Sequence, residues 1–237
     1  MIAVIRRMIP QPVKRYVRAR LRDRRLRAAV SRLRALPNEQ LAMPVALREF
    51  REAFGNIGFV GDCEFLAAAA RSALSSHGAL MECGSGASTI VLALIAAKRG
   101  AQVISLEQDE EWFNSMTADL ARLGIDNVTL YHAPLRDYGE YEWYDDGRIS
   151  VPNQLGGVFC DGPFGARGYR VGLLPYLLRH NTAFDEILCD DGDSKESPSM
   201  IRYWEERCGA TSTLVHGEQG SLVVVRPPAN GDSYRTD

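Results

Sequence analysis

Leu80–Ala93 read LMECGSGASTIVLA: a short apolar run, a turn built on Gly84 and Gly86, and an apolar stretch of helical length. Glycines directly after a strand let the chain turn sharply and let a ligand approach the N-terminus of the helix that follows. Such a turn also serves tight packing alone, so the discriminating residue is Glu82, two positions before Gly84. A dinucleotide would set its pyrophosphate at this helix N-terminus, where amides and the helix dipole attract negative charge; a carboxylate at the strand end opposes it. Ser88 also stands where the dinucleotide fingerprint has its third glycine. The loop therefore favours a cationic ligand without phosphate, with Glu82, Gly84, Ser85, Gly86 and Ser88 as its contacts.

Outward from this loop, apolar runs alternate with helical patterns, which predicts βα units and a mostly parallel sheet. Strands are expected at 79–83, 102–107, 127–132, 156–161 and 185–190, with helices near 88–98, 109–123, 169–180 and 195–208. The runs 211–216 and 220–226, joined by Gly217-Glu218-Gln219, read as a closing antiparallel hairpin. Ahead of the loop, 44–76 reads as helix, with Asp62 as N-cap of the Ala-rich run Phe65–Leu74. The polar, Tyr- and Asp-rich insert 137–155 is too long for a plain connector and is expected to be a lid or substrate loop. Glu107 ends the second strand 21 residues beyond Gly86, the separation one βαβ turn requires for a carboxylate that accepts the two hydroxyls of a ribose. Gln108 follows it as a further cofactor contact, whereas Asp109, Glu110 and Glu111 are expected to face water at the helix start.

The 237 residues, 46% hydrophobic and 24% charged, suit one sizeable α/β domain with an appendage. The net charge of −2 conceals a split: residues 1–34 hold 12 Lys and Arg against Asp23 alone, for +11, and the remainder is −13. A basic arm, 1–43, thus precedes an acidic domain, 44–237. Within the arm, Val17, Leu21, Leu26, Val30 and Leu33 recur at helical spacing over 13–36, and Pro37 closes the run. The five cysteines lie in or beside apolar runs, which fits reduced thiols of a cytoplasmic protein. No run approaches the roughly 18–20 apolar residues of a membrane-spanning helix, and arginines stand where a signal peptide has its apolar core. The expected location is cytoplasmic, with the arm allowing a peripheral position at the inner face of the membrane.

With Glu107 ending the second strand, Asp161 the fourth and a final antiparallel hairpin, the segment LMECGSGASTIVLA resembles the class I S-adenosylmethionine-dependent methyltransferases over about residues 60–227. The resemblance implies an α/β, Rossmann-like, seven-stranded and mostly parallel sheet with a C-terminal antiparallel hairpin, preceded here by a basic helical arm. It implies that Glu82, Gly84 and Gly86 lie near the methionine part of the donor S-adenosylmethionine and Glu107 on its ribose. Residues after the third strand often bind adenine in this family; here they are Ala133, Pro134 and Leu135, so any contact is apolar or through the backbone.

In a parallel sheet, ligands gather at the carboxyl ends of the strands, where this chain places Asp161 and the pair Asp190-Asp191. Such carboxylates repel one another unless something positive lies between them. Mg²⁺ held by Asp161, Asp190 and Asp191 is one solution. The arrangement is similar to metal-dependent O-methyltransferases of the catechol type, but Asp191 stands where those have an amide, and Asp161-Gly162-Pro163 resembles a bacterial Asp-Gly-Pro group instead. The alternative is that Asp191 and Asp193 cap the next helix or hold the turn. Asp161, also expected as a cofactor contact, Asp190 and Lys195 are the catalytic candidates; His132 is a second place to seek a base, although a strand-end histidine is commonly a satisfied polar residue. Tyr169 and Arg170 could contact an anionic or sugar substrate, or simply be solvated.

The reading is a methyltransferase acting on an oxygen of a small molecule or glycan. Its rivals are an NAD(P)-dependent oxidoreductase, which Glu82 opposes, and a non-catalytic nucleoside-binding or interaction module. For the arm three uses are open: docking on the acidic body or on a second subunit in a homodimer, an anionic membrane surface, or nucleic acid.

Overall fold

The computed structural model describes residues 10–55, 62–218 and 220–226, leaving aside the side chains of 12–16. Residues 1–9 and the Arg15 side chain of the arm, 56–61 of the helical stretch, Gln219 of the hairpin turn and 227–237 of the domain lie outside the described residues. Among the described residues four helices come first: α1 (Gln11–Ala35), α2 (Asn38–Leu41), α3 (Pro44–Phe54) and α4 (Cys63–Ser75). The alternating part follows with β1 (Ala79–Cys83), α5 (Ala87–Lys98), β2 (Val103–Glu107), α6 (Glu110–Leu123) and β3 (Val128–His132). Then come β4 (Leu135–Asp137), β5 (Glu142–Tyr144), β6 (Gln154–Cys160), α7 (Leu173–Arg179), β7 (Ala183–Phe184) and β8 (Ile187–Cys189). The chain closes with α8 (Ser197–Cys208), β9 (Thr211–His216) and β10 (Ser221–Arg226).

The main sheet has the order β3-β2-β1-β6-β8-β10-β9, with the short β7 beside the start of β6. Its first five positions are parallel, and β10 pairs antiparallel with both β8 and β9. This is the expected α/β architecture, with the fifth strand expected at 185–190 shortened to β8 and the two-residue β7 lying just ahead of that range. The order reverses between β1 and β6, which opens a crevice at their carboxyl ends.

Two apolar layers cover the sheet. On one face α5 is buried from Ala87 to Ala96, which explains why ASTIVLALIA is apolar all round. It lies under α4, whose Ala67, Ala69, Ala70 and Ala73 are buried in the same cluster and, having no side chain beyond Cβ, suit close helix packing. Asp62 caps α4 as its sequence predicts, accepting from the amides of Glu64 and Phe65 at 2.8 and 2.7 Å. Leu26, Ala29, Val30 and Leu33 of α1 join this layer. Arg22 reaches buried Asp119 at 2.9 Å, and Arg34 donates to the carbonyl of Leu123 at 2.7 Å, so the arm is docked on the acidic body.

The opposite face holds α7, α8 and the antiparallel pair β4–β5, which carries Tyr141, Trp143 and Tyr144 into the core. The insert expected as a lid is therefore packed down. Its Asp146 accepts from Tyr138 and from Arg179, each at 3.2 Å, tying the segment to α7. The expected helix 169–180 starts only at Leu173, because Tyr169 sits at φ 58° and turns Arg170 inward.

Candidate functional site

At the crevice between β1, β2 and β6 lies a cavity of about 370 Å³, within the range of small-molecule sites. One wall is the turn Gly84–Ser88; a second is Glu107, Gln108, Asp109 and Trp112; the third is Tyr144, Asp161, Gly162 and Phe164. Gly84 has φ +91°, and a Cβ on it would come within 2.8 Å of the Gly162 amide nitrogen. A Cβ on Gly162 would in turn meet Gly84 Cα at 2.9 Å, so the β1 and β6 loops touch backbone to backbone and only glycine fits on either side. Gly86 is extended at φ 179°. A Cβ there would meet no protein atom within 4 Å, which leaves the space beside it for a ligand.

Glu107 lines the cavity with its carboxylate held on three sides. Oε2 accepts from the Ser85 amide at 3.1 Å and the Ser85 hydroxyl at 2.6 Å, and Oε1 accepts from the Asp109 amide at 2.9 Å. Its remaining lone pairs can accept a diol. Glu82 does not line the cavity. Its Oε2 accepts from Thr89 at 2.6 Å and Ser105 at 2.9 Å, and Thr89 Oγ1 accepts from the Gly86 amide at 2.8 Å, so the carboxylate braces the turn from beneath. Burial pushes the Glu82 carboxyl up to about 7 against the pull of hydrogen bonds from Ser88, Thr89 and Ser105. Gln108 is engaged by the loop after β6: its amide nitrogen donates to the Phe164 carbonyl at 2.9 Å and its oxygen accepts from the Phe164 amide at 3.0 Å. Ala133 is buried beside Glu107, donating its amide to the Glu107 carbonyl at 2.7 Å, and is not part of the cavity wall.

The acids after β6 and β8 are arranged around a guanidinium. Arg170, 2% exposed, approaches Asp161 Oδ1 at 3.2 Å and Asp191 Oδ2 at 3.0 Å. It also donates to the carbonyl of Asp161 at 2.7 Å and to that of Asp190, and stacks over Tyr169 at 4.7 Å. The positive charge that Asp161, Asp190 and Asp191 require is thus supplied from within the chain, which corrects the magnesium assignment to these three residues. Among the described residues no cluster of His, Cys, Asp and Glu is arranged to hold a metal. Arg170, nine positions after Asp161, is a buried counter-ion rather than a solvated or substrate-facing residue.

The catalytic candidates separate. Asp161 reaches the cavity; burial raises its carboxyl to about 6, with Arg170 opposing the rise and Asp191 adding to it. Asp190 lies behind the cavity, its Oδ1 accepting from the Asp191 amide at 2.9 Å, and burial followed by repulsion from Asp161 and Asp191 lifts it to about 8. Lys195 is turned to solvent with its side chain 90% exposed and pairs with Glu196 at 3.6 Å, which removes it from the chemistry. His132 is exposed and packs on Phe113 with ring centroids 5.6 Å apart. Asp191 and Asp193 do not cap α8; its N-cap position is Glu196.

The cavity residues that sequence reasoning did not name as contacts are Ala87, Asp109, Trp112, Tyr144, Gly162 and Phe164. Trp112 donates to the Ser85 carbonyl at 2.8 Å, and Asp109 caps α6 through the Trp112 amide at 2.7 Å. Trp112 had a usable signal, an aromatic one turn into the helix after Glu107. Tyr144 lies 60 positions beyond Gly84 and had none.

No family model and no curated protein matches this chain. Solved structures do. An O-methyltransferase from Bacillus cereus in complex with S-adenosylhomocysteine aligns with TM-score 0.51 and 15% identity, over 81% of this chain and 93% of that one. A precorrin-6Y C5,15-methyltransferase from Geobacter metallireducens aligns with TM-score 0.51 and 11% identity, over 71% and 90%. This chain has the class I S-adenosylmethionine-dependent methyltransferase fold. A Podospora anserina methyltransferase with S-adenosylhomocysteine bound shares it at TM-score 0.50 and 13% identity, over 75% and 84% of the two chains. At these identities the likeness is one of fold, and in that fold the cavity of this chain lies at the topological switch point between β1 and β6.

Proposed function

We propose that the chain is an S-adenosylmethionine-dependent methyltransferase that methylates an oxygen of a small molecule or glycan. The observation that carries this reading is the pairing, across one cavity, of a fixed diol acceptor, Glu107, with a carboxylate, Asp161, whose proton affinity is tuned close to neutrality. The donor, when bound, supplies an electrophilic methyl group on a sulfonium. The open space at Gly86 suits a nucleoside with an amino-acid tail, and the acids on the walls, Glu107, Asp109 and Asp161, disfavour a pyrophosphate.

In this reading Glu107 holds the ribose, its plane set by Ser85 and Asp109, while Trp112 and Tyr144 narrow the site and exclude water. With a pKa of about 6, Asp161 is mostly ionised at neutral pH yet basic enough to take the proton of an acceptor hydroxyl. Arg170 orients it. Titration calorimetry with S-adenosylhomocysteine gives heat of binding and NADH gives none; the reverse result overturns the assignment. With a methyl acceptor drawn from pooled hydroxyl compounds, Asp161→Asn lowers kcat by about 10²–10⁴-fold. It leaves S-adenosylhomocysteine affinity unchanged within about threefold.

A further inference from the structure

The fold uses one face of α1. Leu26, Ala29, Val30 and Leu33 are buried, and the opposite side presents Val17, Leu21, Arg24 and Ala28 at spacings of four and three, a single line along the helix. Val17 and Leu21 are 47% and 48% exposed. Arg18 and Arg25 flank this line on one side and Arg20 and Arg27 on the other, all of them exposed, while Arg32, next in the first row, pairs with Glu49 at 2.8 Å. Exposed Val17 and Leu21 between two rows of arginines fit a helix that lies in a lipid interface, its two apolar side chains in the headgroup boundary and its guanidinium groups, Arg24 among them, on phosphates.

The direction of α1 is set by its contacts. Lys98, at the end of α5, donates to the carbonyl of Leu36, and Arg34 donates to that of Leu123 at the end of α6; both helices end at the amino edge of the sheet. Twelve residues earlier, Arg22 donates to the carbonyl of Phe54, whose ring packs on Trp112 of the cavity wall. The helix therefore climbs from the amino edge toward the carboxyl edge, and its first eleven residues, about 16 Å of helix, continue on the side where the cavity opens. Phe164, 77% exposed, stands on the rim of that cavity.

We propose that the outer face of α1 docks the protein on an anionic membrane leaflet, with the cavity edge held close to the lipid headgroups. The charge split supplies the orientation: an anionic surface attracts the +11 arm and repels the −13 body, so contact is confined to the arm side. Lipid is favoured over nucleic acid because exposed Val17 and Leu21 lie in the middle of the arginine rows, where a phosphate backbone gains nothing from them and a headgroup boundary does.

The test is flotation of the full chain with phosphatidylcholine vesicles, either pure or containing about one third phosphatidylglycerol, at low and high salt. The chain floats with the anionic vesicles alone and is released by salt. Leu21→Glu abolishes flotation, and Arg24→Ala with Arg25→Ala weakens it by about fivefold for each arginine removed. S-adenosylhomocysteine affinity, measured in parallel, stays unchanged in these variants and reports that they are folded. Absence of flotation at low salt overturns the proposal. So does flotation that Leu21→Glu leaves intact, and so does tRNA binding that is tighter than vesicle binding and insensitive to Leu21→Glu.

Discussion

The two halves of the carboxyl edge carry the same kind of residue and treat it in opposite ways. On the β1–β2 half, Glu82 and Glu107 are held by hydroxyls and amides, all neutral donors, and no cation stands between them. On the β6–β8 half, Asp161 and Asp191 close around Arg170, and Asp190 is driven toward its neutral form. Glu107, held by neutral donors and lining the cavity, keeps lone pairs available to a ligand, whereas Asp191 is paired with a buried cation before any ligand arrives. Both halves look alike in sequence; they differ in function because of what lies behind them.

The contrast is broken most severely at Arg170. Arg170→Leu leaves Asp161 and Asp191 without their counter-ion and is expected to destabilise the chain by about 3–5 kcal/mol, a fall in Tm on the order of 10 °C by calorimetry. An unchanged Tm would mean that these acids find another partner. On the other half the loss falls on binding rather than stability. Glu107→Ala removes the proposed diol acceptor and is expected to weaken S-adenosylhomocysteine by about 10–100-fold, while Asp191→Ala, outside the cavity wall, changes that affinity by less than about threefold.

Asp190 sharpens the comparison through pH. Its pKa is raised from the usual 3.8 to about 8 in the folded chain, so between those values the native state holds a proton that the unfolded state has lost. Stability contributed by this proton is complete below about pH 4 and is lost as pH rises through 8. Asp190→Asn mimics the protonated form and is expected to raise Tm at pH 9 by a few degrees, about 1 kcal/mol or more, with little change at pH 5. The smallest effect is expected at Lys195: Lys195→Ala shifts stability by less than about 0.5 kcal/mol and leaves kcat unaltered.

Much of the fold was legible because its signals are local. Alternating apolar runs, Gly84 after a strand and the Asp62 cap are each decided within a few residues, and the structure reproduces them. Glu107 was readable for a related reason, since one βαβ turn fixes where the next strand ends. The insert misled because its Tyr and Asp content reads as polar surface, whereas the consecutive Trp143 and Tyr144 of β5 are both buried, one on each side of the β4–β5 pair. Asp190 and Lys195 looked catalytic because proximity in sequence to a strand end does not say which way a side chain points.

The sequence by itself determined the βα alternation, the glycine turn, the acid at the tip of β2 and the charge asymmetry of the arm, all properties of composition and short-range order. Only the tertiary structure decided that Arg170 is the counter-ion of the acid edge, that Glu82 braces the turn from beneath, and that Tyr144 and Phe164 complete the cavity. Those outcomes depend on burial and on pairings between distant segments. Their energies come from desolvation and from contacts across the fold, which no local pattern of residues encodes.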